Sequence, residues 1–351
     1  MENRMIRFNC DYSEGAHEKV LEKLLATNME QTEGYGTDSY SHQAKGLIRQ
    51  LCGSEDADVH FLVGGTQVNL TVISAALRPY QGVIAAHTGH INVHETGAIE
   101  ACGHKILALP PHEGKITAAQ VEECYRAHMQ DSGREHTVMP KMVYISQSTE
   151  LGTVYSKKEL EQLSEICRKN GLFLFLDGAR LGYALAALGD TLTLEDLAHL
   201  CDVFYIGGTK VGALFGEAVV ITNPQLKEDF RYLIKQKGGM LAKGRLLGLQ
   251  FLALLEDGLY MEISRYANRQ MERIREAFCQ AGIPFLVENN TNQLFPILPD
   301  RILDAWKEKY SFSYQQRMDG EHSAVRFCTS WATREEDVEQ LVEDIAAISG
   351  C

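Results

Sequence analysis

Short, almost unbroken apolar runs recur through the first two thirds of the chain, separated by longer stretches with helical spacing. Residues 82–86, 105–109, 141–145, 172–176, 202–206 and 217–221 are runs of this kind. Runs so short and so uniformly apolar predict strands covered on both faces, hence a mostly parallel sheet between helices. Ser156, with Glu159 three residues on, has the pattern of a capping box and predicts a helix over 157–170. Residues 117–129 and the segment after Thr66 read the same way. Beyond about residue 222 strands become sparse. A long helical stretch covers 247–281, short strands are expected near 293–299 and 324–329, and a helix over 333–349 closes the chain. The pattern divides the chain into a large α/β domain with a mostly parallel sheet, 1–249, and a smaller C-terminal α+β domain, 250–351.

Composition adds limits to this picture. The chain has 351 residues, 45% apolar and 23% charged, with a formal net charge of −13. That balance argues against a nucleic-acid surface, which needs clustered Lys and Arg. No apolar run is long enough to span a membrane, and residues 1–11 are too polar for a signal peptide. The nine cysteines are scattered with no Cys-x-x-Cys pair, which removes support for a zinc ribbon or a thioredoxin-like motif. Scattered thiols in odd number fit reducing cytosol, so a cytoplasmic protein is expected, without a metal site.

Three features fall at the carboxyl ends of predicted strands, where open parallel sheets bind ligands. Gly64-Gly65-Thr66 follows Phe61-Leu62-Val63 and opens a helix. Its amides and the Thr hydroxyl suit a phosphate, although a plain turn and N-cap explain it equally well. Asp177 follows five apolar residues; burying it unpaired is costly, and an N-cap for the next helix is the simpler alternative. Lys210 lies in Gly207-Gly208-Thr209-Lys210-Val211-Gly212, after another buried strand. Among apolar and small neighbours a lysine loses basicity and becomes a nucleophilic amine, whereas an isolated motif of this kind reads as a surface loop. A nucleotide P-loop lacks its spacing here. Together, a phosphate turn, a strand-end Asp and a strand-end Lys match what pyridoxal 5'-phosphate (PLP) requires.

With these motifs the sequence resembles the threonine aldolase and β-eliminating lyase family of fold-type I PLP enzymes, whose large domain has the aspartate-aminotransferase-like fold. The resemblance runs from Asn9 to the last helix. Its most specific stretches are Asp177-Gly178-Ala179-Arg180, Gly208-Thr209-Lys210 and the segment His90 to Ala98. It implies that Lys210 forms the Schiff base, Asp177 faces the pyridine nitrogen, Gly65 and Thr66 hold the phosphate, and His90 stacks on the ring. It further implies that Arg180 and Arg326 bind the substrate carboxylate, Arg180 also bordering the cofactor. Tyr35 resembles a residue reached across a subunit boundary, and Lys243, with Arg245, stands where a cation is supplied to a neighbouring subunit's phosphate. A homodimer or homotetramer with the site at the interface follows from the same resemblance.

The sequence departs from the family at two places. Gln147-Ser148-Thr149-Glu150 stands where many members have Asn-Thr-His-Asn, so the base for a substrate hydroxyl is in doubt. Cys10, in Asn9-Cys10-Asp11, replaces a serine that would help bind the carboxylate. The activity implied is retro-aldol cleavage of an L-3-hydroxy-α-amino acid to glycine and an aldehyde, with His90, or a water it holds, as base. β-Elimination, transamination and a catalytically silent PLP carrier are the alternatives.

Overall fold

In a computed structural model of the chain, the structure describes residues 4–348. After a short strand β1 (Ile6–Arg7), seven strands build the main sheet: β2 (Asp58–Leu62), β3 (Gln81–Ala86), β4 (Ile106–Leu109), β5 (Met139–Ser146), β6 (Phe173–Asp177), β7 (Val203–Gly207) and β8 (Glu217–Ile221). Their spatial order is β2-β8-β7-β6-β5-β3-β4. The pairs from β7 through β4 are parallel, while β8 runs antiparallel to both β7 and β2. The six predicted strands are all present. The antiparallel β8 was not foreseen, because its apolar residues are buried on both faces just as those of a parallel strand are.

Alternate residues of these strands feed two separate cores. Ile84, Val143, Leu174, Leu176, Phe204 and Val220 join one. Val83, Tyr144, Phe175, Tyr205 and Val219 join the other. This period of two, with both faces buried, is why the runs carry no polar alternation. Ser156 and Glu159 form the expected capping box before helix Lys157–Asn170, and Thr117 with Gln120 forms another before Ala118–Gln130.

The predicted helix over 247–281 is two helices, Arg245–Leu255 and Leu259–Gln280. Gly258 between them has φ 71°, a left-handed conformation that glycine adopts without a steric cost. A third core takes Met271, Ile274, Phe278, Leu294, Phe327 and Leu341 together with Ile6 and Phe8 from the start of the chain. There β9 (Gln293–Leu294), β10 (Ile297–Pro299) and β12 (Ser313–Arg317) pair antiparallel with β13 (His322–Cys328), and β1 pairs parallel with β11 (Tyr310–Ser311). Helix Glu335–Ile348 ends the described chain; Ser349, the predicted end of that helix, lies outside the described residues. Among the described residues, no helix is long and apolar enough to cross a membrane.

Candidate active site

Asp177 is the last residue of β6 and continues its odd-numbered face, which carries Phe173 and Phe175 into the second core. Tyr144 and Tyr205 leave the neighbouring strands on that same face, and both hydroxyls reach the carboxylate. Tyr144 donates to Oδ2 at 2.5 Å and Tyr205 to Oδ1 at 2.5 Å. Asn69 Nδ2 adds a donor to Oδ2 at 3.1 Å, and the Ala179 amide one to Oδ1 at 3.0 Å. Burial alone would raise this carboxyl. Its interaction with His90 and the hydrogen bonds from Tyr144, Tyr205 and Ala179 outweigh that and hold it below the usual range. Burial and the neighbouring carboxylate push both phenols well up, so they remain donors. Asp177 is a fixed anion.

The backbone after β6 touches the backbone after β7. A Cβ on Gly178 would lie 1.8 Å from the Tyr205 carbonyl oxygen, and Gly207 N–H donates to the Gly178 carbonyl at 3.0 Å. Only glycine permits this approach, which brings the Asp177 and Lys210 loops to the same end of the sheet. Tyr183 donates to the Lys210 carbonyl at 2.5 Å and steadies the lysine backbone. Lys210 is half-buried, with Nζ 6.0 Å from the centre of the Tyr12 ring. It makes no ion pair within 4.0 Å among the described residues. Burial and the Arg180 charge lower its basicity, while Asp11, Asp177 and Glu217 act in the opposite sense.

Helix Gly65–Ala76 begins at the same cleft with no side-chain cap on its first amides. His90 opens the short helix His90–Val93, and its Nδ1 lies 2.7 Å from Glu95 Oε1. Asn69 Nδ2 donates to the same oxygen at 2.7 Å, so His90, Glu95, Asn69 and Asp177 form one connected chain. With Nδ1 engaged by Glu95, Nε2 is the ring nitrogen left without a hydrogen-bond partner among the described residues. Glu150 Oε1 accepts from His90 N–H at 2.9 Å and from the Ser146 hydroxyl at 2.7 Å.

The cleft has a volume of about 720 Å³ and brings together Gly65, Thr66, His90, Asp177, Arg180, Lys210 and Arg326. The arginines are held differently. Arg180 is buried and already paired through Nε and Nη2 with the two oxygens of Asp11, at 2.7 and 3.0 Å. Arg326 donates from Nη2 to the Asn9 carbonyl at 3.2 Å, and its buried Nε has no partner. Cys10 does not line the cleft; its Sγ lies 3.2 Å from the Ser13 hydroxyl, while Tyr12 lines the wall instead. Tyr35 and Lys243 lie outside the cleft, and both are exposed. Their loops are nonetheless joined. Tyr35 N–H donates to the Ala242 carbonyl at 3.3 Å, and a Cβ on Gly244 would fall 2.3 Å from Gly36 N.

Several of these groups escaped the sequence reading. Asp11 is 169 positions from its partner Arg180. Tyr144, Tyr205 and Glu217 sit inside apolar runs and read as strand residues. The signal that marks them is the parity of β5, β6 and β7, which puts two hydroxyls on the face where the next strand ends in Asp.

A lysine with no ion pair among the described residues, a buried carboxylate with four donors and an uncapped helix start line one cleft at the carboxyl ends of parallel strands, where α/β enzymes place their ligand sites. A family profile described as "Beta-eliminating lyase" matches residues 10–301. The low specificity L-threonine aldolase of Pseudomonas sp. (strain NCIMB 10558) is 32% identical over 351 residues, covering 99% of each chain. That of Pseudomonas aeruginosa is 31% identical over 98% of each. The threonine aldolase of Leishmania major superposes with a TM-score of 0.95 at 44% identity, over 98% of this chain and 99% of that one. An aspartate aminotransferase of Thermus thermophilus shares the fold, with a TM-score of 0.72 at 16% identity. The chain belongs to the β-eliminating lyase family.

Proposed function

We propose that this chain is a PLP-dependent aldolase that cleaves L-3-hydroxy-α-amino acids of the threonine, allo-threonine and phenylserine type to glycine and an aldehyde. The observation that carries the reading is the meeting of Asp177, with its four donors, and the unpaired Lys210 beside the uncapped helix start in one cleft.

The residues fit the cofactor. A Cβ at Gly65 would lie 2.9 Å from the Tyr205 hydroxyl, so glycine keeps the floor of the cleft open where the helix amides point. Gly65 and Thr66 would hold the phosphate, Asp177 the protonated pyridine nitrogen and Lys210 the aldehyde carbon. When bound there, PLP supplies the imine and a ring that accepts the bond electrons.

The chain's own residues supply the rest. Asp177, as a permanent anion, keeps a proton on the group it faces. Arg326, with its buried unpartnered Nε, is the anchor for the substrate carboxylate and so sets which bond stands across the ring. Arg180, committed to Asp11, shapes that anchor from behind. His90 Nε2 takes the β-hydroxyl proton, because Glu95 holds the ring through Nδ1. The two-part organisation, 1–249 and 250–351, belongs to this reading; the 249/250 boundary falls inside helix Arg245–Leu255, which packs in the first core, whereas the C-terminal chain joins the third core from Met271 onward. So does a homo-oligomer in which Tyr35 and Lys243 reach a partner's cleft. Their joined loops stand outside their own cleft, tied down by Arg231 on the Tyr35 carbonyl and by Arg245 on the Asn28 and Glu30 carbonyls. Every cysteine of the described residues is a free thiol, which accords with a cytoplasmic location.

The test is product analysis of purified protein with L-threonine, L-allo-threonine and phenylserine. Glycine and the matching aldehyde are expected. Keto acid with ammonia, or amino-group transfer to an added keto acid, would overturn the reading.

A further inference from the structure

Three carboxyl groups act on Lys210, and the structure holds them very differently. Asp11 is locked by two bonds from Arg180 and one from Asn292 Nδ2 at 2.9 Å. Asp177 has four donors. Glu217 is equally buried, at 3% exposure, yet its carboxylate accepts one backbone donor, Gly208 N–H to Oε2 at 3.0 Å, with the Thr209 hydroxyl beside it. Glu217 opens β8 in register with Gly207, and it lines the same cleft as Lys210. The loop between β7 and β8 is closed by Gly208 and Thr209 amides on the Gly216 carbonyl, at 2.9 and 3.1 Å. One short, hydrogen-bonded hairpin therefore carries both the amine and the least-committed acid.

We propose that Glu217 is the proton partner of Lys210, taking one proton when the lysine must be a neutral amine and returning it when the charge is restored. The inference rests on Lys210 being the reacting amine, as proposed above. The exchange balances without another reagent: ammonium and carboxylate become amine and carboxylic acid, and one proton crosses. Because the two groups are not in direct contact, the proton crosses by rotation of the lysine side chain or through one bridging water.

The electrostatics support this division of labour. Burial pushes Glu217 up to about 8, against the lowering effects of Thr209, Lys210 and Gly208 and with a further push from Asp177. Burial and Arg180 bring Lys210 down, so the two groups titrate toward one another, as a shared proton requires. The other titratable groups facing Glu217 are Tyr205 on β7 and Tyr260 on helix Leu259–Gln280. Burial pushes both phenols up, so neither takes part. Glu217 acts through Lys210 and is a positioning residue.

The experiment is a pH titration of the visible absorbance of the PLP-loaded, full-length protein, wild type against Glu217→Gln. The variant keeps an acceptor for Gly208 N–H but cannot ionise. Above about pH 8, where the wild-type carboxyl is ionised, its loss should destabilise the protonated imine, so a midpoint in that range should move down by about one pH unit. Coincident titration curves would overturn the proposal. Infrared spectroscopy of the wild type gives a second reading. A buried protonated-carboxyl band should disappear as the pH rises through about 8 and should persist to higher pH in Lys210→Ala. A band absent at lower pH, or unmoved by Lys210→Ala, would equally overturn it. If borohydride fails to fix the cofactor to Lys210, the aldolase reading itself fails, whereas a fixed cofactor with an unmoved midpoint sinks only the role of Glu217.

Discussion

The two walls of the cleft are built on opposite plans. On the sheet side, Asp177 receives four hydrogen bonds, from Tyr144, Tyr205, Asn69 and the Ala179 amide, and each donor comes from a strand, helix or tight turn. On the C-terminal side, Arg326 has a buried Nε with no partner and a single bond to a backbone carbonyl at 3.2 Å. Tyr12, at 56% exposure, stands open beside it. A wall already satisfied is preorganised for a group that stays; a wall with an unmet donor is shaped for a group that arrives and leaves. On the proposed function, the contrast separates cofactor holding from substrate holding within one cleft.

The largest expected effect tests the settled wall. Lys210→Ala should remove the imine absorbance and lower turnover by about 10³-fold or more while leaving the thermal unfolding profile intact. Wild-type turnover in that variant would break the comparison at its centre. Arg326→Leu tests the other wall. It should lower kcat/KM for L-threonine by about 10- to 100-fold, mostly through KM, with the cofactor spectrum unchanged. A changed spectrum with unchanged KM would assign Arg326 to the wrong partner.

The seam between the walls makes a pH prediction. Burial opposes ionisation of Asp11, but Arg180, Lys210 and Asn292 bring its carboxyl down to about 2 from the ordinary 3.8. A depressed acid contributes stability that is full above 3.8 and is lost as pH falls through about 2; here that is about 2 kcal/mol. Urea unfolding between those pH values should therefore show a steeper loss in wild type than in Asp11→Asn, and equal slopes would contradict the assignment. The smallest effect is Tyr144→Phe. Removing one of four donors to Asp177 should lower turnover about fivefold, consistent with roughly 1 kcal/mol per hydrogen bond.

Much of the settled wall was legible in the sequence, because it follows from local pattern. The apolar runs place Asp177 and Lys210 at strand ends, and the Ser156 and Thr117 caps fix helix starts from a few adjacent residues. The open wall was less legible, because it depends on contacts that no local period encodes. Asp11 pairs with Arg180 across the sequence and occupies the fork that was expected to hold a substrate carboxylate. The direction of β8 depends on the loop 208–216, and Glu217 at its start looks like the polar edge of a strand. The break at Gly258 was missed because apolar residues resume directly beyond it, at Leu259 and Tyr260.

The central claim concerns one amine and the carbonyl carbon it captures. Treating the PLP-loaded protein with borohydride, digesting it and sequencing the labelled peptide by mass spectrometry tests that directly. The account predicts a single reduced pyridoxyl adduct on the peptide that contains Lys210; an adduct on another lysine, or none at all, would contradict it.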